Sequence, residues 1–69
     1  MTAHMGILYQ GKPEETSATT VAAFLAAKGI DAKAAVVEYK GDILSAEAAG
    51  AAAIEDGAEL NVYRIVSGG

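Results

Sequence analysis

The last two residues of the sequence, Gly68 and Gly69, are the ones whose type and position most directly suggest chemistry. Glycine has no Cβ, so a Gly-Gly end preceded by Ser67 can lie extended in a narrow enzyme channel and adopt φ values closed to other residues. We expect the carboxylate of Gly69 to be the reactive group, with Ser67 and Gly68 forming the tail that presents it. Frayed ends are common in proteins, so the rest of the chain must support this interpretation.

Composition excludes several other kinds of reactive site. The chain has 69 residues, one histidine and no cysteine. A chain without cysteine has no disulfide framework, thiolate zinc site or cysteine nucleophile. His4 has no second histidine or cysteine to share a metal with, so we expect no metal site and no bound cofactor. A chain of this length forms one small domain that buries only about 60% of its unfolded surface, which leaves no room for a large pocket.

Charge and hydropathy narrow the choice of partners. The formal net charge is -4, which opposes the phosphate neutralisation on which nucleic-acid binding depends. A basic protein surface is a better partner, because complementary charge speeds encounter. The sequence contains neither an apolar run of the roughly 20 residues needed to cross a bilayer nor a signal-peptide pattern. We therefore expect a cytoplasmic protein that binds neither membranes nor nucleic acid and is a monomer when free.

The first half of the chain predicts two strands. Over residues 5–10, Met5, Ile7 and Tyr9 alternate with Gly6, Leu8 and Gln10. This period of two residues is typical of a strand with one buried face. A turn is predicted at residues 10–12. Because Pro13 cannot donate a ladder hydrogen bond, residues 12–16 are expected to form a short edge strand or extended arm.

A helix of about ten residues is predicted next. Thr19 or Thr20 can cap it through a hydroxyl group, and Gly29 suits the left-handed position after its last turn, with Ile30 making the closing hydrophobic contact. Three apolar residues at i, i+3 and i+4 define its buried face: Val21, Phe24 and Leu25.

The second half repeats the strand pattern. Residues 35–40 show the same two-residue alternation and predict a strand. A turn after this strand leads into a short strand at residues 43–44. Residues 45–53 are rich in alanine and predict a short helix interrupted at Gly50. Residues 60–66 are the last predicted strand. The order of elements predicts an α+β domain in which a mixed sheet of four to five strands packs on one main helix.

Five segments resemble one known family. They are MGILY at residues 5–9, TVAAFL at 20–25, VEYKGDIL at 37–44, IEDGAEL at 54–60 and VSGG at 66–69. Their order and spacing, together with the terminal diglycine, resemble ThiS, the thiamine-pathway sulfur carrier within the ubiquitin-like β-grasp group. The resemblance implies an N-terminal extension at residues 1–4, a β-grasp domain at 5–66 and a flexible tail at 67–69.

The resemblance also implies a mechanism and partners. In the family, a ThiF-like adenylating enzyme consumes ATP to form an acyl-adenylate on the terminal glycine. A sulfur donor, either a cysteine desulfurase or a persulfide carrier, then replaces AMP to leave a thiocarboxylate. That sulfur supplies a ThiG-like thiazole synthase. The sulfur acceptor here is then Gly69, and the chain is a protein co-substrate with no catalytic residue of its own.

Strand parity predicts a docking face for these partners. Asn61 is the residue of the last strand least suited to the core, so Tyr63 and Ile65 should point outward with it. Leu8 has the same outward parity on the first strand. Exposed apolar side chains near a reactive tail are typical of a protein interface. The predicted interface residues are Leu8, Tyr63, Ile65 and Val66.

Three alternatives to a thiamine sulfur carrier remain open at the level of sequence. The same chemistry can serve molybdopterin synthesis, whose small carrier also ends in Gly-Gly. A ubiquitin-like modifier would instead form isopeptide bonds with lysines. A structural or regulatory β-grasp module would carry the diglycine without using it.

Overall fold

The computed structural model describes residues 4–64. In chain order, the elements are β1 (Met5–Tyr9), β2 (Lys12–Thr16), α1 (Val21–Ala27), a 3₁₀ turn (Ala32–Ala34), β3 (Ala35–Tyr39), β4 (Asp42–Leu44), α2 (Ala46–Ala51) and β5 (Glu59–Arg64). The five strands form one sheet in the order β2-β1-β5-β3-β4. The central strand is β5; its pairing with β1 is parallel, and the other three strand pairs are antiparallel. The predicted α+β class and mixed sheet are confirmed, and β2 is an edge strand as Pro13 requires.

Both hairpins close through two-residue turns with positive φ at each central position. Gln10 and Gly11 have φ values of 54° and 80°, and Lys40 and Gly41 have values of 55° and 87°. Positive φ at both positions is the requirement of a type I′ turn, whose twist matches that of paired strands. These turns fix the register of β1 with β2 and of β3 with β4, and so decide which side chains face outward.

Helix α1 begins and ends at specific caps. The hydroxyl of Thr20, not Thr19, accepts a hydrogen bond from the Ala23 N–H at 3.1 Å. At the other end, the N–H of Ile30 donates to the Leu25 carbonyl at 2.9 Å and Gly29 has φ of 74°. This is the Schellman arrangement. Because the two caps enclose only seven residues, the predicted helix of about ten residues was too long.

The core lies between α1 and one face of the sheet. Val21, Phe24 and Leu25 are buried on the helix, as their spacing predicted. The strands contribute five buried apolar side chains to the same cluster: Ile7, Val37, Tyr39, Leu60 and Val62. Inward residues of β5 thus alternate with outward ones, which confirms the predicted strand parity over its described part.

The second helix departs from the sequence prediction at Gly50. Helix α2 continues through Gly50 to Ala51, so the predicted interruption was wrong. Two interactions offset the roughly 1 kcal/mol cost of a helical glycine. The Ser45 hydroxyl accepts from the Ala48 N–H at 3.0 Å, and Ala49 is buried in the core. The 3₁₀ turn that precedes β3 was not predicted.

Candidate functional site: the outer sheet face

The face of the sheet that points away from α1 carries the residues predicted to bind partners. It consists of the outward positions of the five strands, here called the outer sheet face. Alternation and register assign ten residues to it: Gly6, Leu8, Pro13, Glu15, Val36, Glu38, Ile43, Glu59, Asn61 and Tyr63. Three of the ten are glutamates and none is lysine or arginine.

Leu8 and Tyr63 both lie on the outer sheet face, as predicted, but they are not adjacent. Leu8 is 38% exposed and Tyr63 is 55% exposed. Leu8 pairs in register with Glu59, four residues before Tyr63 on β5. At about 3.3 Å per residue, the two side chains start roughly 13 Å apart along the strand. Asn61 lies between them on the same face.

Ile43 on β4 is the most exposed of the large hydrophobic residues in the described part of the chain, at 65%. Sequence reasoning placed it in a short strand but did not identify it as a surface residue. A strand of three residues is too short for alternation to show which side faces the core. The turn supplies the missing signal, because a two-residue type I′ loop fixes Ile43 opposite Glu38.

The outer sheet face therefore has two apolar parts. Pro13 and Leu8 are cross-strand neighbours on β2 and β1. Tyr63 is paired with Val36 on β3, and Ile43 on β4 is the diagonal neighbour of Val36. We call Pro13 and Leu8 the β1 part of the face, and Tyr63, Val36 and Ile43 the β3 part.

A polar row separates the two apolar parts. Glu38 pairs with Asn61 across β3 and β5, and the Asn61 Nδ2 donates to the Glu38 Oε1 at 3.1 Å. Both residues are half-buried. Glu59, the next outward residue on β5, is exposed. The two ion pairs within residues 4–64 are Lys28 with Glu14 and Lys40 with Glu55, so the carboxylate of Glu38 has no cationic partner in this part of the chain.

Strand β5, which leads toward the tail, is held along most of its described length. On one side it pairs with β3 over five residues. On the other, the side-chain amide of Gln10 replaces a backbone neighbour: its Nε2 donates to the Val62 carbonyl at 2.8 Å and its Oε1 accepts from the Val62 N–H at 2.9 Å. This contact continues the ladder beyond the last β1 pair, Tyr9 with Leu60. The backbone N–H and C=O of Val62, the neighbour of Tyr63, are thus both hydrogen-bonded on the β1 side of the strand.

Two further contacts fix the opposite end of β1 and the loop before β5. The Asp56 carboxylate accepts from the Gly6 N–H at 2.8 Å, and the Gly57 N–H donates to the Gly6 carbonyl at 2.6 Å. The Tyr39 hydroxyl donates to the Ala53 carbonyl and accepts from the Glu55 N–H, both at 2.8 Å. These bonds join the loop to the first and third strands and so help fix the register of the face.

Lys40 lies in the turn between β3 and β4 and is paired with Glu55. The pKa of Lys40 is raised, mainly by the hydrogen bond that it donates to Glu55; desolvation opposes this, and the charge of the Glu55 carboxylate adds to it. The groups that act on Lys40 are Glu55, Tyr39 and Asp42, not Glu38 or Glu59. The Lys40 ammonium is paired with Glu55 in the loop before β5.

A shallow cavity of about 250 Å³ lies at the end of β5, beside Arg64, the only arginine of the sequence. Its lining residues are Gly29, Ile30, Asp31, Ala34, Ala35 and Arg64. The remaining predicted site residues, Ile65, Val66, Ser67, Gly68 and Gly69, lie outside the described residues. Over the described range, residues 4–64, no group of His, Cys, Asp and Glu side chains is arranged to hold a metal ion. No helix within that range is long and apolar enough to span a membrane.

Comparison with known proteins finds solved structures that are similar over nearly the whole chain, among them a crystal structure and an NMR structure. The crystal structure of the thiamine biosynthesis protein ThiS from Geobacter metallireducens is 28% identical, with a TM-score of 0.78. The match covers 94% of this chain and 100% of that one. An NMR solution structure of a thiamine biosynthesis protein from the same organism has a TM-score of 0.74, also at 28% identity, and covers 94% and 88% of the two chains. No family model and no curated protein matches the sequence.

Proposed function

We propose that this chain, a ThiS-like protein with the β-grasp fold, is a sulfur carrier that delivers sulfur for thiamine thiazole biosynthesis. The observation that supports this function most strongly is the match to ThiS, which covers that chain from end to end. The terminal Gly68-Gly69 supports it independently, because a carrier of this kind needs a narrow tail with a reactive carboxylate.

The proposed chemistry takes place on the carboxylate of Gly69. A carboxylate is a poor acyl donor, since the oxide it would have to expel is a very poor leaving group. A carboxylate oxygen attacks the α-phosphate of ATP and releases pyrophosphate, so that AMP becomes the leaving group of the resulting acyl-adenylate. The terminal sulfur of a persulfide then displaces AMP, and a thiol cleaves the sulfur–sulfur bond, leaving a thiocarboxylate on Gly69 and a disulfide. Because the chain has no cysteine, its terminal carboxyl group is the place where sulfur can be carried covalently.

The protein itself acts as co-substrate in this scheme and not as an enzyme. A ThiF-like adenylating enzyme binds and consumes the ATP, a cysteine desulfurase or persulfide carrier donates sulfur, and a ThiG-like thiazole synthase receives it. The carrier binds no cofactor, is a monomer when free and works in the cytoplasm. Its contribution is to present Gly69 and to dock through the outer sheet face, where Leu8 and Tyr63 are exposed, together with Ile65 and Val66.

Intact-mass measurement of the protein isolated from its native host tests this proposal. A sulfur carrier gains the mass of one oxygen-to-sulfur exchange, and fragmentation places that gain at the C-terminus. Incubation with the adenylating enzyme, ATP and a persulfide donor should produce the same change in the purified protein. Ladders of lysine adducts would instead indicate a protein modifier, and an unchanged mass under both conditions would indicate a module with an unused diglycine. Delivery to molybdopterin synthesis is distinguished by which synthase removes the sulfur.

A further inference from the structure

The polar row of Glu38, Asn61 and Glu59 lies between the β1 part and the β3 part of the outer sheet face. Glu38 is opposite Ile43 on β4 and is the diagonal neighbour of Tyr63 on β5. A partner that contacts both Tyr63 and Ile43 must therefore also cover Glu38. The partner surface must therefore accommodate a polar side chain as well as apolar ones.

Glu38 is the residue of the polar row that most restricts the partner surface. It is already half-buried, and its nearest cross-strand neighbours are Ile43 on β4 and Asn61 on β5. One carboxylate oxygen accepts from Asn61, which supplies a hydrogen bond but no positive charge. Removing a carboxylate from water without a compensating charge is strongly unfavourable. A docked partner must either avoid Glu38 or supply a cation to it.

We propose that the partner surface covering the outer sheet face is apolar around one Arg or Lys side chain, which pairs with Glu38 between Tyr63 and Ile43. This inference rests on the proposed function, in which that partner is the adenylating enzyme. Charge complementarity supports this occupant, since the ten outward positions hold three glutamates and no cation. A second copy of this chain does not fit, because its own outer sheet face would bring glutamates against glutamates.

The two exposed glutamates of the face, Glu15 and Glu59, have a different role in the complex. Both are exposed in the free protein, and the charge of an exposed residue mainly accelerates encounter and is screened by salt. Glu38 is the position at which charge and burial coincide. Loss of its charge should therefore increase the dissociation rate, whereas loss of the charge at Glu59 should reduce the association rate.

Glu38→Gln is the most direct test, with Glu47→Gln as its matched control. Glutamine keeps the oxygen that accepts from Asn61 and removes only the charge, so the fold should be retained. Glu47 lies on α2, is exposed and carries the same charge. Binding kinetics and ATP–pyrophosphate exchange are measured with the cognate adenylating enzyme. We expect Glu38→Gln to weaken binding about thirtyfold or more, mainly through faster dissociation, and Glu47→Gln to bind like the parent.

The sign of the effect separates the alternatives. Tighter binding by Glu38→Gln would show that the carboxylate is buried without a cation, and unchanged binding would show that the partner does not cover it. Either result overturns the inference while leaving the carrier function intact, provided that the parent protein supports exchange. A parent protein that supports no exchange would overturn the proposed function, and the inference would fail with it.

Discussion

The two faces of the same sheet use the same strands for different purposes. On the inner face, Leu60 and Val62 of β5 are buried against α1. On the outer face, Asn61 and Tyr63 of the same strand are half-buried and exposed. Adjacent residues of one strand thus have different roles, because side chains alternate between the two faces of the sheet. The inner face determines whether the chain folds, and the outer face determines what the folded chain binds.

The comparison also shows why the outer face can vary without loss of the fold. Inner residues are close-packed, so a change in volume is felt throughout the core. Outer residues are constrained by register and by contacts such as Asn61 with Glu38, but not by close packing. Changes to the inner face should therefore appear first as loss of stability, and changes to the outer face first as loss of binding.

The largest effect is expected at Phe24, which lies on α1 and packs against the inner face of the sheet. Its side chain is 2% exposed and packs edge-to-face on Tyr9 with ring centroids 5.1 Å apart. Phe24→Ala should destabilise the fold by about 3 to 5 kcal/mol, a large part of the total of about 5 to 15 kcal/mol for a native domain. Thermal unfolding followed by circular dichroism measures this. Leu8→Ala is the control on the outer face and should change stability much less; equal losses for the two variants would contradict the division between faces.

The second largest effect is expected on the outer face, in binding and not in stability. Tyr63→Asp places a charge on a side chain that is 55% exposed, so the domain should remain folded. Contact residues at the centre of an interface contribute at least about 2 kcal/mol when removed, and we expect a loss of that size for the adenylating enzyme, measured by calorimetry. Parent-like affinity would place the docking surface elsewhere.

A smaller effect is expected where the inner face is tied to the loop before β5. Tyr39→Phe removes the hydroxyl that bonds both the Ala53 carbonyl and the Glu55 N–H. Leaving this carbonyl and this N–H without a partner should destabilise the protein by about 1 to 2 kcal/mol. In a domain of this size, each kcal/mol lowers Tm by about 4 to 8 °C. Hydrogen exchange should accelerate at the Glu55 amide. Protection like that of the parent would mean that the hydroxyl does not hold the loop.

The smallest effect is expected at the exposed pair of Lys40 and Glu55. The hydrogen bond that Lys40 donates to the Glu55 carboxylate raises the pKa of Lys40 above its ordinary value of 10.5. Because the pKa of Lys40 is higher in the folded state than in the unfolded state, its interaction with Glu55 stabilises the protein fully at pH values below the unfolded-state pKa. This stabilisation is lost as the pH rises through the folded-state pKa. Lys40→Gln should therefore lower Tm by less than Tyr39→Phe does at pH 7. The difference from the parent should disappear above the folded pKa and in high salt, and a difference that persists in both conditions would show that the side chain acts through packing.

The sequence predicted features that depend on local chemistry. Thr20 and Gly29 are residues that cap helices, and Gly11 and Gly41 are residues that close two-residue turns, so these boundaries were accessible from the sequence alone. The buried face of α1 followed from the spacing of Val21, Phe24 and Leu25. The outward parity of Leu8 and Tyr63 followed from alternation within single strands.

The features that sequence reasoning missed depend on contacts between distant parts of the chain. The pairing of Glu38 with Asn61 and the bond from Gln10 to Val62 join residues 23 and 52 positions apart. No local pattern marks such pairs. Gly50 was expected to interrupt a helix because its propensity is low, but capping by Ser45 and burial of Ala49 outweigh that propensity. The separation of Leu8 from Tyr63 became apparent only once the parallel register of β1 and β5 was known.

The central claim, that Gly69 is the acceptor of sulfur, is tested most directly by ATP–pyrophosphate exchange with the cognate adenylating enzyme. One alanine added after Gly69 leaves residues 4–64 unchanged but moves the carboxylate about 3.3 to 3.6 Å along an extended chain. Reacting atoms must lie about 3 to 3.5 Å apart, and a displacement of about 1 Å can reduce the rate roughly a hundredfold. The account predicts that this variant, and one lacking Gly68 and Gly69, fold normally and support no exchange. Undiminished exchange by either variant would show that Gly69 is not the acceptor and would contradict the account.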